Sequence, residues 1–111
     1  EMMMRYTLPY TASSFPFTKS YTGTGTAETF LTKESFANLS AETITITFSW
    51  TTWSGNPWFG AGGTWVSNDN GLEWGTNSAY GTIAVATLQE NDLQIGGKSE
   101  GVYTVTISIT E

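Results

Sequence analysis

The sequence predicts an all-β protein, an antiparallel β-sandwich of the jelly-roll type. Apolar and polar residues alternate with period two along the chain, whereas no sustained apolar stripe with helical spacing occurs. About eight short segments of this kind follow one another at roughly ten-residue spacing, with glycine- and asparagine-rich turns between them. Such a succession of short strands is typical of sandwiches and barrels.

Two segments show the clearest strand pattern, TITITFSW at 43–50 and VYTVTISIT at 102–110. In both, apolar residues alternate with threonine or serine, so one face of each strand is predicted to be buried and the other exposed. The predicted inward residues are Ile44, Ile46, Phe48, Trp50, Tyr103, Val105, Ile107 and Ile109.

Weaker patterns predict the remaining strands. They lie at 5–10, 19–22, 28–32, 64–67, 82–89 and 93–95. Pro9 restricts the first of them to a sheet edge because proline cannot donate to a neighbouring strand. The segment KESFANLS, residues 33–40, predicts a single helical turn.

The segment 82–89 leaves two orientations open. If Ala84, Ala86 and Leu88 face the core, Gln89 points outward. If the alternate set that begins at Ile83 faces the core, the face that carries Gln89 is buried. The first orientation is the one we expect.

Composition limits the class of protein. The 111 residues are enough for one domain, 1–111, and the first few residues are interpreted as a linker remnant of a longer chain. Hydrophobic residues make up 39% of the chain and charged residues 13%, which is typical of a globular protein. Four basic residues against ten acidic ones give a net charge of -6, which disfavours nucleic acid and anionic membranes as partners.

The chain has no cysteine and no histidine, so disulfides, thiolate nucleophiles and the usual catalytic triads are excluded. The segment SNDNGLEW, residues 67–74, has the composition of a calcium loop but lacks the alternating acidic register and the distant glutamate. We interpret it as an asparagine-glycine turn and expect no metal or other cofactor.

Two carboxylates, such as Glu73 with Glu90 or Asp92, could in principle cleave a glycosidic bond. A sandwich of this size would not easily form a deep cleft around them. We therefore expect a protein that is not an enzyme.

Four of the five tryptophans lie within residues 47–65. Trp50 shares the parity of the apolar residues of its strand and is predicted to be core. If the strand continues, Trp53 lies on the opposite face among hydroxyl side chains and is exposed. Trp58 follows Pro57 in a predicted loop that cannot bury both Trp58 and Phe59.

For Trp65 the alternation does not decide whether it or Val66 faces outward, and for Trp74 the buried and exposed orientations are equally compatible with the sequence. Together these rings exceed what the core of a small domain needs, because about fifteen other large apolar side chains already supply it. We expect an exposed aromatic patch, which on a soluble protein usually marks an interaction site.

An indole ring is suited to the C–H face of a pyranose, and neighbouring amides can hydrogen-bond the sugar hydroxyls. Gln89 and Gln94 are the candidate amides. Neutral amides favour a neutral polysaccharide, since an acidic glycan would require arginine or lysine.

The segment WSGNPW with Trp53 and Trp58, together with Trp65 and LQENDLQIGG, resembles carbohydrate-binding modules of bacterial plant-cell-wall-degrading enzymes, in particular families 65 and 80. The resemblance implies a monomeric, secreted module that binds β-glucan, xyloglucan and related β-1,4-linked polysaccharides for an attached catalytic domain. It implies stacking by four tryptophans and hydrogen bonding by two glutamines. These are Trp53, Trp58, Trp65, Trp74, Gln89 and Gln94.

Two alternatives remain open. The chain could be a structural or adhesive β-sandwich whose tryptophans contact a neighbouring domain of the same polypeptide. It could also bind ice or another crystal through its Thr-x-Thr arrays, although it lacks the regular repeat of a solenoid.

Overall fold

A computed structural model describes residues 9–110 of the chain, and these residues form two packed antiparallel sheets. Within this part of the chain there are nine strands and one α-helix. The strands are β1 (Phe17–Thr22), β2 (Glu28–Leu31), β3 (Thr43–Ser49), β4 (Trp58–Ala61), β5 (Thr64–Val66), β6 (Glu73–Gly75), β7 (Ser78–Ala84), β8 (Leu93–Gly96) and β9 (Val102–Ile109). The helix α1 spans Val85–Glu90, and 3-10 turns span Ala12–Ser14 and Lys33–Phe36.

The strands divide between a five-stranded and a four-stranded sheet. The five-stranded sheet has the order β1-β9-β3-β7-β6, and the four-stranded sheet has the order β2-β8-β4-β5. The first half of the chain therefore pairs with the second half in a nested way: β1 with β9, β2 with β8 and β3 with β7. The predicted all-β sandwich is confirmed. The nested order favours the jelly-roll type, which stays a prediction.

The core lies between the two sheets and follows the predicted alternation. Every second residue of β3 is fully buried, from Ile44 through Ile46 to Phe48. Phe59 of β4 approaches from the other sheet, with its ring 6.2 Å from that of Phe48. Each such side chain contributes about 1.5–3 kcal/mol through removal of apolar surface from water.

Most predicted strands are confirmed with boundary changes of one or two residues. The segments predicted at 19–22, 28–32, 64–67 and 93–95 correspond to β1, β2, β5 and β8. The turn predicted at 33–40 is the 3-10 turn Lys33–Phe36. Residues 5–8 of the first predicted strand lie outside the described residues, and the last two residues of that segment, Pro9 and Tyr10, are not in a strand.

The prediction of a single strand over 82–89 is wrong after Ala84, because the chain turns into α1 at Val85. The buried side chains of α1 are Val85 and Leu88, three residues apart and thus on one helical face. Ile83 is the inward residue of the strand part, so the orientation with Ala84 and Ala86 inward is also wrong. Apolar residues at 83, 85 and 88 fit strand and helix spacing equally well over so short a stretch.

The loops at one end of the sandwich are tied together by Tyr103. Its hydroxyl donates a hydrogen bond to the backbone carbonyl of Ser54 and lies 3.2 Å from that of Gly55. It also accepts a hydrogen bond from the backbone N–H of Lys98 at 3.1 Å. The loop that follows β3 and the turn that precedes β9 are therefore held by one buried side chain.

None of the helices in the described residues has the length and hydropathy of a membrane-spanning segment.

Trp50→Ala should lower the free energy of unfolding by about 3–5 kcal/mol, because a buried indole would leave a cavity. Urea unfolding followed by far-UV circular dichroism measures the change. Trp53→Ala is the matched control. Its ring is 59% exposed and meets Trp50 at one edge, so its loss should amount to about 0.5–1.5 kcal/mol. A larger loss for Trp53→Ala than for Trp50→Ala would contradict this assignment.

The protein should lose stability above about pH 10 because of its buried tyrosines. Burial, and after it the neighbouring Glu28 carboxylate, raises the pKa of Tyr21 from 10.0 to about 12, and burial also raises the pKa of Tyr103. In the unfolded chain the tyrosines ionise near their ordinary pKa of 10.0. The contribution of the neutral, buried tyrosines to the free energy of unfolding is therefore complete below that pH and is lost as the pH approaches 12. Urea unfolding at pH 8 and about pH 11 tests this, with Tyr21→Phe expected to reduce the difference. Equal stability at both pH values would contradict it.

Candidate functional site

The outer face of the four-stranded sheet carries two tryptophans and two glycines in neighbouring positions. Trp58 of β4 is in register with Gly96 of β8, and Gly60 of β4 is in register with Trp65 of β5 and Gln94 of β8. Residues in register share a face of the sheet. Phe59, Val66 and Ile95 face the core. Side chains alternate along a strand, so the residues next to these three on each strand face outward.

The two indoles lie against the glycines. A Cβ atom on Gly96 would come within 2.2 Å of Cε2 and Cζ2 of Trp58, and one on Gly60 within 2.6 Å of Cε3 of Trp65. Any larger side chain at these two positions would displace the rings from the sheet surface. Both glycines are buried although they face outward, which shows that the rings cover them.

Gln94 lies beside the two rings. It lies two residues before Gly96 on β8 and opposite Gly60 on the next strand, so it adjoins both positions that the indoles cover. Its Nε2 donates a hydrogen bond of 2.8 Å to Oγ1 of Thr29, its register partner on β2. This contact leaves a second N–H and the amide oxygen of Gln94 for a ligand.

We call the surface formed by Trp58, Trp65, Gln94 and Thr29 the indole platform. The glycine positions under its rings are one strand apart laterally and two residues apart along the strands, a separation of about 8 Å. A single ligand that spans about 8 Å can therefore contact both rings. The side chains of the platform carry no formal charge.

The segment 67–71 supports the platform as a turn. Ser67 and Asn70 exchange backbone hydrogen bonds of 3.0 and 2.9 Å, and Gly71 follows at a positive φ of 100°. The Asn70 side chain donates to the carbonyl of Trp65 at 2.7 Å. Within residues 9–110, no three His, Cys, Asp or Glu side chains form a group that could hold a metal ion.

The other two candidate tryptophans belong to a different surface. The rings of Trp53 and Trp74 lie 5.2 and 5.9 Å from that of buried Trp50 and 6.0 Å from each other. Trp74 is on β6, the edge strand of the five-stranded sheet, in register with inward-facing Ala79. The single patch expected from the sequence is therefore two separate groups.

The exposure of Trp53 is confirmed, but the expected reason is wrong. The strand ends at Ser49, so Trp53 does not emerge on the threonine face and instead packs its edge on Trp50 from a loop. Trp58 lies in a strand rather than a loop, and Phe59 is the buried member of that pair. Of Trp65 and Val66, the tryptophan faces outward, with 39% of its surface exposed, and Trp74 is 38% exposed.

Gln89 does not face solvent as expected. It lies on α1, and its Nε2 donates to the carbonyls of Phe36 and Leu39, each at 3.0 Å. Both amide hydrogens are thereby used to attach the helix to the 33–40 segment. Its contacts are those of a structural residue, because the amide has no donor left for a ligand.

The sequence prediction missed Thr29, Gly60 and Gly96 as parts of the site. A signal was present for Gly96, which directly follows the strand predicted at 93–95, where a glycine indicates close approach of another group, whereas Gly60 lies in a segment for which no strand was predicted. No known protein-family model matches the chain, and no curated protein or solved structure shows significant similarity to it.

Gly96→Ala should lower the free energy of unfolding by about 1–3 kcal/mol, because the added methyl group overlaps the Trp58 ring. In a Trp58→Ala background the same change should be neutral or stabilising, since alanine is favoured over glycine in a strand. Urea unfolding of the four proteins in this double-mutant cycle measures the coupling.

The control for this cycle is Gly81→Ala, whose Cβ would overlap Cγ1 of Val66 rather than Trp58. Its cost should be the same with and without Trp58. Equal costs of Gly96→Ala in both backgrounds would show that the Trp58 ring does not rest on Gly96.

Proposed function

We propose that this chain is a non-catalytic carbohydrate-binding module that binds a neutral β-1,4-linked glucan or hemicellulose on the indole platform. The observation that carries the proposal is the pair of indoles, Trp58 and Trp65, held against Gly96 and Gly60 with Gln94 next to both glycines. Two ring faces with an amide beside them can meet both the apolar ring faces and the hydroxyl edges of a sugar chain.

The open shape of the platform supports a polymeric ligand. It lies on the outer face of a sheet rather than in a closed pocket, so a chain can enter and leave at both ends. Two stacking positions about 8 Å apart favour a ligand of at least two sugar units over a single sugar.

The absence of formal charge on the platform side chains supports a neutral ligand. Trp58, Trp65, Gln94 and Thr29 can stack and hydrogen-bond, but they cannot neutralise a uronate or a phosphate. The net charge of -6 would further disfavour an acidic polysaccharide.

Preorganisation supports useful affinity from a small contact area. The rings are seated on the sheet backbone, and the Gln94 amide is fixed by Thr29 at 2.8 Å, so little side-chain entropy remains to be lost on binding. In a secreted, multidomain enzyme such a module would raise the effective concentration of an attached glycoside hydrolase at the plant cell wall.

Trp58→Ala and Trp65→Ala should each weaken binding at least about tenfold, a loss of about 1.4 kcal/mol or more, because each removes one stacking ring. Gln94→Ala should also weaken binding, through the loss of hydrogen bonds. Isothermal titration against soluble β-glucan, xyloglucan, mannan and xylan measures the affinities, and circular dichroism shows whether the fold is retained.

Tyr80→Ala is the control, because Tyr80 is a 45% exposed aromatic residue on the outer face of the other sheet. It should leave the affinity unchanged. Absence of binding to every polysaccharide by the unaltered protein would refute the proposal and favour the structural or adhesive alternative.

A further inference from the structure

A separate hollow of about 420 Å³ lies at the end of the sandwich that Tyr103 organises. Its lining comes from the loop after β3, including Thr51, Thr52 and Trp53, and from the turn before β9, including Lys98 and Glu100. None of these residues belongs to the indole platform. The volume is at the low end of the roughly 300–1,000 Å³ that small-molecule sites occupy, which suits one small ligand rather than a polymer.

Glu100 occupies a backbone conformation that disfavours it. Its φ is +68°, at the third position of a turn that Gly101 N–H closes onto the Lys98 carbonyl at 2.8 Å. Glycine or asparagine is the ordinary choice at such a position. The other non-glycine residue with positive φ in residues 9–110 is Asn77, which belongs to that tolerant class.

The strained conformation of Glu100 is fixed by its neighbours. Its N–H donates to the carbonyl of Gly23, and the N–H of Gly23 donates to the carbonyl of Gly101, both at 2.8 Å. These bonds involve only backbone atoms, so a glycine at position 100 would preserve them without the strain. A side chain present at this backbone cost points to a role for the carboxylate itself.

The side chains around Glu100 add two other kinds of ligand contact to its carboxylate. The stem of Lys98 lies over Gly55, where an added Cβ would come within 2.7 Å of its Cβ atom, and Lys98 also lines the hollow. Trp53 offers the most exposed indole in the described residues, at 59%. The hollow thus combines a stacking ring, a hydrogen-bond donor with positive charge and an acceptor with negative charge.

We infer that this hollow is a second sugar-binding site, which takes a single neutral sugar unit such as the end of a glycan chain. The ring of the sugar stacks on Trp53, two adjacent hydroxyls donate to the Glu100 carboxylate, and Lys98 donates to a further oxygen. The opposite charges of Lys98 and Glu100 cancel, which favours a neutral ligand. The inference does not depend on the indole platform, because the two surfaces share no residue.

Nuclear magnetic resonance of the side-chain indole N–H groups separates the two sites, because the five tryptophans give five signals. The probes are methyl glycosides of glucose, galactose, mannose, xylose and N-acetylglucosamine, each at millimolar concentration. At least one of them should shift the signal of Trp53. The signals of Trp58 and Trp65 report the indole platform and should respond to the polysaccharide, so either site can fail without the other.

Glu100→Gly tests the carboxylate. It should weaken binding in the hollow at least tenfold while leaving the melting temperature equal to or above that of the unaltered protein, because it relieves the positive-φ strain. Lys98→Met keeps the stem over Gly55 but removes the charge, and it should also weaken binding. Asn77→Gly, which alters the other positive-φ residue outside the hollow, should leave binding unchanged.

Three results would overturn the inference: no shift of the Trp53 signal with any of the five glycosides, unchanged binding by Glu100→Gly, or a lower melting temperature for Glu100→Gly. The last would assign the glutamate a structural role.

Discussion

The buried hydroxyl of Tyr103 is the contact on which the end of the sandwich depends. The ring belongs to the core, stacked 6.0 Å from Tyr21 and close to Phe48 and Trp50. The hydroxyl bonds backbone groups of two loops that no β-ladder holds. A buried carbonyl left without such a partner costs about 1–3 kcal/mol, so core packing and loop position are linked through one residue.

On the four-stranded sheet, two glycines shape the outer surface as much as the large side chains do. Gly60 and Gly96 leave space that the rings of Trp65 and Trp58 fill, so two large residues lie low on the sheet instead of projecting into solvent. The neighbouring Gln94 and Thr29 then stand at the edges of the rings rather than beneath them. The result is an aromatic surface with a fixed polar group beside the rings, built from residues on all four strands of the sheet.

Sequence reasoning predicted the sandwich and its core because β3 and β9 are long enough for alternation to identify the buried face. It failed over Val85–Glu90, where a short stretch fits strand and helix spacing alike. Because of this error, Gln89 was predicted to face solvent. It placed Trp53 and Trp58 in one patch because nearness along the chain does not show that Trp58 joins the four-stranded sheet while Trp53 packs on Trp50 from a loop. Glu100 could not be identified at all, since its distinguishing property is a backbone angle that the sequence does not display.

Two strand glycines and one residue with a strained backbone lie next to surface tryptophans, and this arrangement is relevant to function. A glycine inside a strand costs roughly 0.5–1 kcal/mol relative to alanine, and a non-glycine residue at positive φ costs about 1–2 kcal/mol. Exposed indoles also risk association with other molecules. In this chain Gly60 and Gly96 lie under the exposed ring of Trp65 and the half-buried ring of Trp58, and Glu100 lies beside Trp53. Selection for stability alone would remove both kinds of cost, and the proposed ligand contacts would account for their presence at these positions.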